Sequence, residues 1–134
     1  ERGGVEVLVD VGHNPQAARE LARWLAATPV DGRTLAVFAA LADKDLAGIV
    51  VALGESIDGW YLAGLEEVPG RGLAVDGFAA QLEGTAAGGE RHASVAAALD
   101  AALAAATPTD RVLVFGSFHT AAAALQALAP DGRG

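Results

Sequence analysis

Short apolar runs alternate with segments of helical periodicity along the whole chain, and that alternation restricts the fold more than any other feature. Residues 5–9 are dominated by Val5, Val7, Leu8 and Val9 and predict a buried strand. In residues 15–27, Ala17, Ala18, Leu21, Ala22 and Leu25 fall on one side and Arg19 and Arg23 on the other, the spacing of an amphipathic helix. Asn14 suits its N-cap and Pro15 its first position. The pattern repeats. Strands are expected over residues 34–40, 60–63 and 111–115, with a short one near 90–92, and helices over 46–53, 74–82, 95–106 and 120–128. Gly54, Ser56 and Asp58 close the second helix, and Ser94 caps the fourth. Such alternation predicts an α/β, Rossmann-like three-layer domain: a mostly parallel sheet of about six strands with helices on both faces.

With 134 residues, 52% of them hydrophobic, the chain suffices for one domain over residues 1–134. It contains no cysteine, which excludes disulfides and thiolate metal sites. Net charge is -8 and the nine Lys and Arg are scattered, so a nucleic-acid partner is not expected. No apolar run approaches the roughly 20 residues of a membrane span, and the start lacks the regions of a signal peptide. A soluble cytoplasmic protein is the expectation. Glu1-Arg2-Gly3-Gly4 leads almost directly into a strand, which reads as a cut through a larger protein.

In a parallel sheet, residues that follow the strands collect along one edge, where open α/β proteins bind ligands. That edge is expected to carry Asp10, His13 and Asn14 after the first strand and Asp43, Lys44 and Asp45 after the second. Glu66 and Glu67 follow the third, and Gly116, Ser117, His119 and Thr120 follow the last. Each has a plainer role open to it. Asp10 fits a turn, Asn14 a helix cap, His13 a solvated loop and Lys44 a surface ion pair. Glu66 and Glu67 fit a solvated loop, and His92 has no assigned role. Gly116 permits close backbone approach after a buried strand, and Ser117 can meet an anion at the following helix N-terminus.

Several chemistries are excluded by motif. Gly116-Ser117-Phe118-His119-Thr120 is not a nucleophile elbow, no G-x-G-x-x-G follows a strand, and no P-loop occurs. The three histidines lack metal-site spacing, so no metal ligands are expected in this chain.

Four motifs in register nevertheless point to a family. D-V-G-H-N-P at 10–15, L-A-D-K-D at 41–45, P-G-R-G at 69–72 and F-G-S-F-H-T at 115–120 resemble the carboxyl-terminal domain of bacterial dihydrofolate synthase/folylpolyglutamate synthase, within the Mur-ligase superfamily. The likeness spans nearly the whole chain. It implies part of an ATP-dependent ligase, in which a carboxylate of dihydropteroate or a folate is phosphorylated and the amine of L-glutamate attacks the acyl phosphate. It also implies that a larger amino-terminal ATPase domain, absent here, holds the P-loop, the Mg²⁺ ligands and most of the pterin site. The isolated chain is then expected to be inactive, and the enzyme monomeric.

The resemblance further implies roles at matching positions. Asp10, His13 and Asn14 face the nucleotide, while Lys44, Ser117 and His119 serve the incoming glutamate, with Asp10, His13, Lys44 and Ser117 as the catalytic set. Two other readings remain open at this point: a peptidoglycan-precursor Mur ligase domain, and a non-catalytic α/β ligand-binding module. The D-V-G-H-N-P spelling and Ser117 favour the folate branch.

Overall fold

The structure, a computed structural model, describes residues 5–10, 15–39, 46–64, 90–92, 94–116 and 118–128, with backbone alone for residues 46, 90, 118, 119, 127 and 128. Five strands form one sheet: β1 (Glu6–Val9), β2 (Thr34–Phe38), β3 (Gly59–Ala63), β4 (Glu90–His92) and β5 (Arg111–Phe115). Their order is β1-β5-β2-β3-β4, and every pairing is parallel. Among the described residues the strands thus number five where about six are expected from sequence. Among the described residues four α-helices accompany them: α1 (Pro15–Ala27), α2 (Leu46–Leu53), α3 (Val95–Ala105) and α4 (Phe118–Leu128). The expected helix over 74–82 lies outside the described residues.

Side chains alternate between the two faces along every central strand. Ala36, Phe38, Trp60, Leu62, Leu113 and Phe115 meet α1 and α2 through Ala18, Leu25, Ile49, Val50 and Leu53. Leu35, Val37, Tyr61, Ala63, Val112 and Val114 meet α3 and α4 through Val95, Ala98, Leu99, Ala102 and Ala124. Burial on both faces explains why β2 and β5 read as continuous apolar runs rather than alternating ones. Phe38 and Phe115, the last residues of neighbouring strands, stack with centroids 4.7 Å apart, and Trp60 meets both edge-on. Truncating either phenylalanine to alanine is expected to cost about 3–5 kcal/mol.

Helix boundaries follow local chemistry. Ser94 accepts a hydrogen bond from the Ala97 N–H at 3.2 Å, capping α3 as expected. Helix α2 ends at Leu53 as expected, and a 3-10 turn over Gly54–Ser56 follows it. Asp58 then serves the sheet: its carboxylate accepts from the Thr34 N–H and its own N–H donates to the Thr34 carbonyl, both at 2.8 Å.

The amino-terminal edge of the sheet is closed by charge. Asp110 accepts from the Arg33 N–H at 2.6 Å, from the Thr107 N–H at 2.9 Å and from the Arg33 guanidinium at 2.9 Å. Those contacts, led by the Arg33 amide, hold its carboxyl well below the usual carboxylate range. Arg33 also donates to the Ala105 carbonyl at the end of α3. Gly32 is required beside this carboxylate, because a Cβ there would lie 2.2 Å from Asp110 Oδ1.

Connections divide by face and direction. From β1 to β2 and from β2 to β3 the chain moves one way across the sheet and lays α1 and α2 on one face; from β4 to β5 it returns and lays α3 on the other. A constant crossover hand requires that arrangement. β5 lies between β1 and β2 while its exit helix α4 packs on the face opposite theirs, a topological switch of the kind at which open α/β sheets form a ligand crevice.

Candidate active site

Where neighbouring strands send their chains to opposite faces, the carboxyl ends leave room for a ligand. Here those ends are Asp10 beyond β1, Gly116 beyond β5 and Ala39 beyond β2. The Asp10 N–H donates to the Val114 carbonyl at 2.9 Å, extending the parallel ladder by one residue and fixing the half-buried aspartate at the rim. Helices α1 and α4 both begin at this edge, and the positive ends of their dipoles favour negative charge nearby. Stacked Phe38 and Phe115 form the apolar support beneath it.

The backbone between β5 and β2 is closely fitted. Gly116 has φ +131°, and a Cβ on it would lie 2.0 Å from the Ala39 carbonyl oxygen. Glycine is therefore required there for both conformation and space, in agreement with the close approach expected from sequence. The Ala39 N–H reaches back to the Phe115 carbonyl at 3.4 Å.

The polar residues named from sequence separate in this frame. Asp10 stands at the rim of the crevice. Thr120 does not, contrary to the expectation that it lines the edge. Helix α4 starts at Phe118 rather than Thr120, so Thr120 falls within the first turn, fully buried, and its hydroxyl donates to the Ala39 carbonyl at 2.5 Å. His119 is on the same turn. His13, Asn14, Lys44, Ser117, Asp43, Asp45, Glu66 and Glu67 lie outside the described residues, in the segments that follow β1, β2, β3 and β5. His92 ends β4 at this edge, with its ring 6.2 Å from that of Tyr61 and its carbonyl accepting from the Gly64 N–H.

Two structural residues escaped the sequence reading, Asp110 and Arg111, and both belong to the opposite edge. Arg111 is buried and donates to Thr34 Oγ1 at 2.9 Å, to the Leu25 carbonyl at 3.1 Å and to the Thr28 carbonyl. Its guanidinium also lies 5.8 Å from the Trp24 ring centroid. The signal was an arginine heading an otherwise apolar strand. Such a residue needs a local set of acceptors, and the exposed end of α1 supplies them.

Among the described residues no three His, Asp or Glu side chains converge as metal ligands, and no helix is long and apolar enough to cross a membrane. The described part of this edge thus holds the Asp10 carboxylate and two helix starts.

Comparison with known proteins agrees with this geometry. The profile of the family described as Mur ligase, glutamate ligase domain, matches residues 1–118. The dihydrofolate synthase/folylpolyglutamate synthase of Escherichia coli K12 is 43% identical over 122 residues, covering 91% of this chain and 28% of that protein. The solved structure of E. coli FolC in complex with DHPP and ADP has a TM-score of 0.81 at 43% identity, over 91% of this chain and 28% of its own. A bifunctional folylpolyglutamate synthase/dihydrofolate synthase with Mn, AMPPNP and L-glutamate bound has a TM-score of 0.82 at 38% identity, over 93% of this chain and 29% of its own. The chain thus spans little more than a quarter of the length of these relatives. On the profile match and the shared sheet, the chain belongs to the glutamate ligase domain family of the Mur ligases.

Proposed function

We propose that this chain is the glutamate- and nucleotide-facing domain of an ATP-dependent ligase that adds L-glutamate to dihydropteroate, to folate, or to both. The observation that carries the proposal is the match at 38% identity and TM-score 0.82 to a relative with L-glutamate and a nucleotide analogue bound. The crevice between the carboxyl ends of β1, β5 and β2 supports it. Matches to proteins named dihydrofolate synthase/folylpolyglutamate synthase favour this reading over a peptidoglycan-precursor ligase or a non-catalytic module.

In the proposed reaction the acceptor carboxylate attacks the γ-phosphorus of ATP, releasing ADP. The α-amine of glutamate then attacks the acyl phosphate carbon, and phosphate leaves as the amide forms. ATP and a divalent ion are assigned mainly to a domain outside this chain, in keeping with a relative with Mn and AMPPNP bound of which this chain covers only 29%. This domain's part is to close the cleft and position the amine. Asp10, held at the rim by its amide bond to Val114, takes the nucleotide side together with His13 and Asn14. Lys44 neutralises a glutamate carboxylate, with Ser117 and His119 completing that subsite. Orientation of a weak nucleophile and neutralisation of charge are where such a domain lowers the barrier. The parent enzyme is proposed to be a cytoplasmic monomer, with residues 1–134 as one domain of it.

The test is a coupled assay of the full-length protein, with dihydropteroate and then tetrahydrofolate as acceptor. Glutamate-dependent ADP release with either acceptor is expected. Release with neither would overturn the proposal.

A further inference from the structure

The Phe115–Gly116 peptide, at the exit of β5, is satisfied on one side and open on the other. Its carbonyl accepts from the Ala39 N–H at 3.4 Å, which turns that oxygen towards β2. No described peptide bond is cis, so the N–H of the same peptide plane points the opposite way, towards β1. There the ladder has ended. The Asp10 N–H donates to the Val114 carbonyl at 2.9 Å, and in a parallel ladder the next bond would run from the Gly116 N–H to the Asp10 carbonyl. That bond is not made, because β1 and β5 pair only as far as Val9 and Val114. Among the described residues the Gly116 N–H thus meets no acceptor, although Gly116 is buried. Buried N–H groups left in this state are costly and rare.

The requirement for glycine does not account for it. Both reasons for Gly116, its φ of +131° and the Ala39 carbonyl oxygen 2.0 Å from a Cβ, leave the direction of the N–H unexplained. That group faces the gap between β1 and β5, at the switch where the exit helices part to opposite faces. Helices α1 and α4 begin at the same edge, and the positive ends of their dipoles add to the attraction for a negatively charged oxygen.

We propose that the Gly116 N–H is a substrate-binding donor, hydrogen-bonded in the loaded enzyme to an anionic oxygen, either a nucleotide phosphate or a glutamate carboxylate. The inference rests on the ligase activity proposed above and adds a main-chain contact to it. Every group it invokes lies within β1, β5 or the residue that follows each.

The test uses the full-length enzyme labelled with ¹⁵N-glycine and ¹³C-carbonyl phenylalanine. Phe115-Gly116 is the one Phe-Gly pair of residues 1–134, and loss of the coupled signal in Phe115→Leu assigns it. Mg²⁺ with AMPPNP is added first, then dihydropteroate, then L-glutamate. The Gly116 amide proton is expected to move downfield by roughly 0.3 ppm or more at the first step if a phosphate is the acceptor, or at the last if it is a carboxylate. No downfield move at either step overturns the inference. Replacing the Phe115–Gly116 amide by an ester, within a synthetic carboxyl-terminal segment, removes the N–H and keeps the shape. It is expected to raise the KM of the ligand identified by the shift about tenfold, to change the other KM less than about twofold, and to leave the urea midpoint near that of wild type. Unchanged KM values overturn the inference, as does an ester enzyme that fails to fold, since the N–H then serves the fold. A wild-type enzyme without glutamate-dependent turnover overturns the ligase proposal itself, whereas an active wild type with an unmoved Gly116 signal overturns only this contact.

Discussion

The Arg111 guanidinium donates to the Leu25 carbonyl at 3.1 Å, so the first residue of β5 caps the last turn of α1. Its other nitrogens satisfy Thr34 Oγ1 and the Thr28 carbonyl, and its positive charge faces the negative end of the helix dipole. Arg111→Leu removes the donor and leaves the Thr34 hydroxyl and the Leu25 carbonyl, whose bonds to it are buried, without it. A loss of about 2–4 kcal/mol is expected in urea denaturation of the chain. Arg111→Lys is expected to recover only part of it, because one ammonium cannot reproduce the planar fork. A change below about 0.5 kcal/mol for Arg111→Leu would remove this clamp from the account of stability.

Asp110 gives stability a defined pH dependence. Its native pKa is depressed by the Arg33 amide, the Thr107 amide and the Arg33 guanidinium, whereas in the unfolded chain it returns towards its ordinary 3.8. The unfolded state therefore binds the proton first as pH falls. The contribution is complete above the ordinary carboxylate range, declines as pH drops below it, and vanishes only below the native value. Asp110→Asn is expected to lower the urea midpoint at pH 7 and to flatten its fall between pH 5 and pH 2. Parallel curves for variant and wild type over that range would contradict the assignment.

Gly116→Ala tests the close fit of β5 against β2. Alanine at φ +131° is strained, and its methyl would enter the Ala39 carbonyl oxygen. Destabilisation of about 3 kcal/mol is expected from calorimetry or urea unfolding. A neutral substitution would mean that the two strand exits are not in fixed contact.

These effects mark what the sequence could and could not convey. A short continuous apolar run was enough to locate β5 at Arg111–Phe115, and helical spacing of apolar residues with Pro15 at its head to locate α1 at Pro15–Ala27, because local apolar spacing records what a segment buries. The five-strand order and the Ala39–Thr120 contact were not legible, since they join residues distant in sequence through single backbone groups. Thr120 illustrates the difficulty. A threonine after a strand has the same spelling whether its hydroxyl faces a ligand or a carbonyl from another strand. Asp110 and Arg33 likewise read as loop residues until β2 and β5 are brought together, and the four-motif resemblance carried the candidate site where local pattern could not.

The chain alone is expected to show no glutamate-dependent phosphate release. It spans 28% of its Escherichia coli relative. Mixing purified residues 1–134 with ATP, Mg²⁺, glutamate and dihydropteroate checks this directly. Turnover by the isolated chain would refute the assignment of ATP and metal to another domain.

Lys44 is the residue through which the glutamate subsite is most directly tested. A lysine that neutralises a substrate carboxylate contributes a charge-assisted hydrogen bond, and removing it leaves that carboxylate without its cation. The expected penalty is about 1.5–3 kcal/mol, equivalent to a roughly 10- to 100-fold rise in glutamate KM for Lys44→Ala in the full-length enzyme. The nucleotide KM should move far less, because the interaction is specific to the amino acid. Ser117→Ala is expected to act in the same direction with a smaller effect, since it removes a neutral hydroxyl rather than a charge. Steady-state kinetics with glutamate and ATP varied separately decide the matter: an unchanged glutamate KM in Lys44→Ala would take this lysine out of the site.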